Sequence, residues 1–180
     1  MVVKQTVIDN EYFEIYNKEK DTGISRVKSM KIFMDKLNTL YPKIEISRLK
    51  KVDGADLKFK YDKAILKANF YHSKTYNSTY PSGWHLISSD QIETSNADFH
   101  IFNLKYYEEM YTFIFSKEEL KEYVKDKKKD SGGNYHFNFE LINGKMLETR
   151  DKKKTVKKYC NNIHIIQKML KNKNKGYNFF

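Results

Sequence analysis

The chain has 180 residues and a formal net charge of +11, with 34 lysines and arginines against 23 acids. A hydrophobic fraction of 39% with 15% aromatic residues suffices for a packed core and excludes a disordered polyelectrolyte. The lone cysteine, Cys160, excludes an intrachain disulfide or a cysteine zinc cluster, and no apolar run nears the ~20 residues of a membrane span.

In chain order, a short helix is predicted around Glu11 to Lys18. Ser25 then caps a helix running to about Tyr41, because Val27, Met30, Phe33, Met34, Leu37 and Leu40 recur at spacings of three and four. Pro42 ends it, since the residue before a proline avoids the helical region. The period then falls to two. Ile44, Ile46 and Leu49 mark a strand, and Leu57, Phe59 and Tyr61 alternate with Lys58 and Lys60 in a second. Ala64 to Tyr71 follows after only Asp62-Lys63, as in a hairpin. Residues 73–82 read as a polar loop, and Trp84 to Ile87 as a short strand. Ser89 to Ser95 reads as a short helix.

Ala97 to Leu104 is an apolar, central strand, and Met110 to Phe115 another. Ser116 and Glu119 form a capping box that opens a helix to about Lys127. The charged run Lys125 to Asp130 and Ser131-Gly132-Gly133 read as an exposed loop. Tyr135 to Ile142 and Lys145 to Glu148 form a hairpin about Asn143-Gly144, the pair favoured in type I′ turns. Val156, Cys160, Ile163, Ile166 and Leu170 predict a last helix, followed from Lys171 by a frayed basic tail. The order predicts a mixed α/β fold, a central mixed sheet flanked by helices, with an antiparallel meander.

The chemistry concentrates at Asp53 to Lys67. Asp56 follows the Gly54 turn and opens a strand, and Lys67 stands eleven positions later in the next strand. Gly54-Ala55-Asp56-Leu57 and Ile65-Leu66-Lys67, with the strand at Ala97 to Phe102, the strand Phe113-Ile114-Phe115 and the capped helix after it, resemble the PD-(D/E)XK nuclease superfamily. The resemblance spans roughly Ile24 to Tyr123. It implies a restriction-endonuclease-like core with a C-terminal hairpin and helix, in which Asp56 is a metal ligand and Asp56 and Lys67 are catalytic. It also implies Mg²⁺ as the cofactor, for which oxygen ligands are required. The metal would lower the pKa of bound water and offset charge developing on the phosphate. In that alignment Ile65 stands where the second carboxylate belongs. Asp53, Asp62 and Glu45, or Glu11, Glu14 and Glu19 of the first helix, are the acids available to replace it.

The organisation expected is a single domain. It comprises an N-terminal segment 1–23, a nuclease-like core 24–127, a hairpin plus basic helix 134–172, and a tail 173–180. Residues 151–180 hold nine lysines against one acid, Asp151, a balance that suits a polyanionic partner, DNA or RNA. Lys74, Tyr76 and Tyr80 in the polar loop, and Lys153, Lys157 and Lys158 further on, are the candidate nucleic-acid-binding residues. His72, His85, His100 and His136 fall in or beside predicted strands without a zinc spacing. They read as satisfied core or surface residues, with His72 the one nearest the candidate site.

Two functions remain open. One is a nucleic-acid-binding protein with a nuclease-like core, either cutting by metal-dependent phosphodiester hydrolysis or having lost catalysis. The other is an interaction protein from a phage or mobile element that inhibits a host nucleic-acid-targeting defence complex, in the manner of an anti-CRISPR. The positive charge excludes a DNA mimic, but not a protein that grips a protein–nucleic acid complex. No membrane partner is expected, the location expected is cytoplasmic, and the resemblance admits a dimer.

Overall fold

The computed structural model describes residues 24–75 and 79–176. The predicted helix around Glu11 to Lys18, and Tyr76 of the aromatic loop, lie outside them.

Helix α1 (Arg26–Leu40) starts where Ser25 accepts a hydrogen bond from Lys28 N at 3.2 Å, and it buries Ser29, Met30, Phe33 and Leu37 along one stripe. It stops at Tyr41, forced out of the helical region by Pro42. Strand β1 (Glu45–Arg48) follows, then a 3₁₀ turn at Lys51–Asp53, then the β2 (Leu57–Tyr61) and β3 (Ala64–Lys74) hairpin. Asp62, with φ 53°, makes its tight turn. Strand β3 runs three residues beyond its predicted end at Tyr71, so Lys74 belongs to the strand rather than to the loop. After β4 (Ser82–Ser88), capping boxes Ser88/Gln91 and Ser116/Glu119 open α2 (Ser89–Thr94) and α3 (Lys117–Val124). Between them lie β5 (Phe99–Tyr106) and β6 (Glu109–Ser116). Strands β7 (Asn134–Ile142) and β8 (Lys145–Glu148) turn at Asn143 and Gly144, both with positive φ (50° and 70°), as a type I′ turn requires.

The strands form two sheets. The first has the order β1-β2-β3-β5-β6, antiparallel except for the parallel pair β3/β5. The second has the order β4-β7-β8-β9, with β9 at Lys154–Thr155. Helices α1 and α4 (His164–Asn174) cover one face of the first sheet, where Phe33, Leu37, Phe59, Phe70, Ile166 and Leu170 make one core. The second sheet covers the other face, where Phe113 stacks on Phe139 at 4.1 Å and Phe102 meets Phe137 at 5.2 Å. Strand β5 serves both cores: Phe99 and Ile101 face the helices, Phe102 and Leu104 the second sheet. That is why Phe99 to Leu104 reads as a mostly apolar run, interrupted by His100 and Asn103, both buried. The mixed sheet flanked by helices is as expected; the second sheet is an addition to it.

One predicted element is corrected. The last helix begins at His164, not near Val156. Before it, Cys160 bridges to Phe113 on the edge of β6, and Asn161, with φ 54°, exchanges hydrogen bonds with Thr112. Val156 and Tyr159 enter the second core, while Ile163, Ile166 and Leu170 enter the first. The helix-like spacing belongs to a segment that crosses the sheet edge from one core to the other. Conversely, Lys171 and Lys173 lie in the last turn of α4 rather than in a frayed tail, where they oppose the negative helix end.

Candidate nucleic-acid interface and the Asp56 corner

Asp56 sits where β2 leaves β3. Leu57 pairs with Ala68, and Asp56 N also donates to Ala68 O at 2.9 Å, a bulge-like two-to-one arrangement. Beyond that point β3 has lost its β2 partner. The Asp56 carboxylate takes its place: Oδ2 accepts Phe70 N–H at 2.8 Å and pairs with the Arg26 guanidinium at 2.6 Å. Arg26 Nε in turn donates to Phe70 O at 2.9 Å. Asp56 and Arg26 together satisfy the free edge of β3 that a longer β2 would have covered. Arg26 enters from the first turn of α1 and is absent from the sequence-derived site. An arginine next to a helix cap carries no distinctive signal.

The register revises the sequence alignment of the site. Ile65 pairs with Lys60, four residues along β2 from Asp56, or about 13 Å at ~3.3 Å per residue. An acid at position 65 would therefore lie at the far end of the hairpin from Asp56. One step past the Leu57–Ala68 pair, Asp56 meets Asn69 and Phe70. Counting back from the two-residue turn Asp62-Lys63 gives this register without a structure. Lys67, expected to act with Asp56, points from the opposite face to Leu66 and Ala68, which are buried in the first core. No ion pair joins it to Asp56 among the described residues.

The acids available to replace the missing carboxylate are engaged elsewhere. Asp53 Oδ2 accepts Lys50 N–H at 2.9 Å, Asp62 accepts from Asn174 Nδ2 at 3.1 Å, and Glu45 pairs with Lys60 at 3.4 Å. Glu11, Glu14 and Glu19 lie outside the described residues. The acid nearest in the sheet is Asp98, just before β5, which the sequence shows only as part of a strand. Its Oδ2 accepts Lys67 N–H at 2.7 Å. Asp56 and Asp98 thus hold opposite edges of β3. Among the described residues no group of three or more His, Cys, Asp or Glu side chains converges on a metal-sized space. Mg²⁺ is commonly held by one or two carboxylates with waters and phosphate oxygens; at this corner Asp56 is the one carboxylate, and Arg26 is paired with it.

His85 and His100 are buried, and His72 is half-buried. Burial pushes His85 down to about 3 and His100 to about 4, and it lowers His72 as well. His100 Nδ1 lies 3.2 Å from the Tyr71 hydroxyl, and both nitrogens of His85 are buried without a hydrogen-bond partner among the described residues. Burial, then the Asp56 charge, raises the Tyr71 phenol well above its usual value, so it is a hydrogen-bonding group rather than a base. His136, by contrast, is on the outer face of the second sheet.

A cleft of about 620 Å³ opens between the loop before β5, the start of α3 and α4. Asp98, Lys117 and Lys168 line it with Glu118, Glu119 and Met169, a mixture of charges that favours no single ligand. The cationic candidates lie elsewhere. Lys74, Lys153, Lys157 and Lys158 are exposed, and Lys158 rides 4.5 Å from the Tyr159 ring. Tyr80 is half-buried beside β4. Lys153, Lys157 and Lys158 precede α4, on the turns around β9, instead of lining a helix edge. Lys127, Lys154 and Lys173 are tied to carboxylates.

No family model and no curated protein matches the sequence. Among solved structures, the fold is similar to that of a bacterial homing endonuclease, I-Ssp6803I. The likeness has a TM-score of 0.54 at 15% identity, over 87% of this chain and 98% of that one. The fold is therefore endonuclease-like mixed α/β. Among the described residues no helix is long and apolar enough to cross a membrane.

Proposed function

We propose that this protein binds nucleic acid through an endonuclease-like fold without using the Asp56 corner for metal-dependent cleavage. The observation that carries the reading is the likeness to a homing endonuclease over 98% of that chain. The net charge of +11 supports it, since cations that neutralise phosphates release condensed counterions.

At the corner, Arg26 sits against the carboxylate that a divalent ion would need, and Asn69 stands in register where a second acid would have to be. The guanidinium supplies positive charge, but it cannot ionise a water at neutral pH as a metal does. The chain's own contribution is then binding: Lys74, Lys153, Lys157 and Lys158 present exposed ammonium groups to a phosphate backbone, and Tyr80 follows Lys74 six positions on.

The test is binding of labelled DNA and RNA across a salt series, with a parallel incubation in Mg²⁺ or Mn²⁺. Binding that weakens steeply with salt, with the strands left intact, is the expected result. Metal-dependent cuts that disappear in Asp56→Ala and Lys67→Ala would overturn the non-cleaving reading. An absence of binding to any nucleic acid would overturn the whole of it.

A further inference from the structure

Trp84 is the sole tryptophan of the chain, and it is 50% exposed on the outer face of the second sheet. Alternation along β4 explains its position: His85 and Ile87 point into the second core, Trp84 and Leu86 away from it. A single exposed apolar side chain is ordinary. This one differs in being held. Its indole Nε1 donates to His136 Nδ1 at 3.0 Å, and His136 Nε2 lies 2.7 Å from Asp130 Oδ2. An indole N–H can only donate, so Nδ1 accepts and the Nε2–H donates to Asp130. Asp130 is itself held by the N–H groups of Gly132 and Asn134, each at 2.9 Å. The ring is pinned by its edge through His136 and Asp130, and Trp84 remains half-exposed.

Cations flank the ring, and the acids near it are each held by hydrogen bonds or ion pairs. The Arg150 guanidinium lies 6.0 Å from the ring centre, and Arg150 N donates to Glu148 Oε1 at 2.9 Å, which fixes its backbone. Lys152 and Lys153, both exposed, follow in the same loop. The acids at this edge are occupied: Glu148 and Asp151 by Lys127, and Glu140 by the hydroxyls of Ser82 and Thr149. A rigid aromatic face flanked by cations matches a flat base carried on a phosphodiester strand. In a duplex the bases already stack on one another, so only an unpaired or extruded base has a face to offer.

We propose that the Trp84–Arg150 face of the second sheet is a stacking platform for an unpaired base of a nucleic-acid strand. The proposal rests on the nucleic-acid-binding reading and adds to it the strand state and the contact. Leu86, also 50% exposed and two positions along β4, extends the apolar floor by roughly 7 Å.

Because Trp84 is the only indole, its emission reports contact directly. A fluorescein-labelled single-stranded thymidine oligomer gives an independent binding readout by anisotropy. Anisotropy and quenching of Trp84 emission are expected to rise together. Trp84→Ala should weaken single-strand binding roughly tenfold, the scale of one base–aromatic stack, with duplex binding little changed. Trp84→Phe should recover most of the loss, which separates stacking from a folding defect. Anisotropy that saturates without quenching, or a Trp84→Ala loss that Trp84→Phe does not recover, overturns the platform and leaves the nucleic-acid reading standing. No anisotropy change with single strand, duplex or RNA overturns both.

Discussion

The Lys127 ammonium lies 2.9 Å from the Glu148 carboxylate, and the two side chains are only 3% and 2% exposed. Asp151 closes on the same ammonium at 2.8 Å, and the Phe137 ring centre lies 4.8 Å from it. Glu148 Oε1 meanwhile accepts the N–H groups of Asn138 and Arg150. One buried carboxylate thus fastens α3's exit, β7 and the loop that carries Arg150. Removing one partner of a buried pair leaves the other charge uncompensated, at a cost of about 3–5 kcal/mol. Glu148→Ala leaves Lys127 with Asp151, and is expected to lower the unfolding free energy from urea titration by up to about that amount, to lower the midpoint with it, and to weaken single-strand binding. A midpoint equal to wild type would refute the assignment.

The buried histidines make the fold sensitive to acid. His85 and His100 have folded pKa values near 3 and 4 against a usual 6.5, so the unfolded chain gains protons that the folded one refuses. Their stabilisation is fully present above pH 6.5 and is lost as pH falls from 6.5 toward 4. The slope is about 1.4 kcal/mol per pH unit for each histidine. His72 shifts in the same direction. Urea titrations at pH 7, 6 and 5 are expected to show this decline, and His85→Leu should flatten it by one histidine's share. An unchanged slope in that variant would show that His85 is charged or exposed in the fold.

The Arg26–Asp56 pair is half-exposed, so its charge is screened and its main contribution is the Phe70 N–H that Asp56 accepts. Asp56→Asn is expected to cost about 1 kcal/mol of stability and to leave nucleic-acid affinity unchanged. Millimolar Mg²⁺ should not raise the melting temperature of the wild type. A rise present in the wild type and missing in Asp56→Asn would mean that the carboxylate holds a metal after all.

Phosphate contacts are read from the salt dependence of binding. Each lost contact lowers the slope of log affinity against log salt by about 0.9 on duplex DNA. Replacing Lys153, Lys157 and Lys158 together by alanine is therefore expected to lower that slope by about 2–3, with similar losses across sequences. A slope equal to wild type would place the phosphate contacts elsewhere.

Much of the fold is legible in local signals. The Asn143-Gly144 turn, the capping boxes at Ser88 and Ser116, and the apolar run of β5 each act through neighbours in the chain, so the sequence displays them. What escapes is set by partners far away. Lys127 lies in a run of charges and is buried only because Glu148, Asp151 and Phe137 enclose it. Arg26 reaches the site because β2 stops short of Phe70. The spacing from Val156 to Leu170 mimics one helix because two cores share a segment. For the site, the sequence marks Asp56 after the Gly54 turn, but not its bonds to Phe70 N–H and Arg26. Among the described residues Asp56 pairs with Arg26, and no ion pair joins it to Lys67.

The connection between the parallel strands β3 and β5 contains β4, whose hydrogen-bonding partner β7 lies beyond α3. On a ribosome adding ~5–20 residues per second, the roughly fifty residues between β4 and β7 take about three to ten seconds to synthesise. Until then β4 is a bare edge, the kind of surface on which chaperones and aggregation compete. A chain cut after α3 would remain permanently in that state, so the last third of the polypeptide acts as the lock on what precedes it.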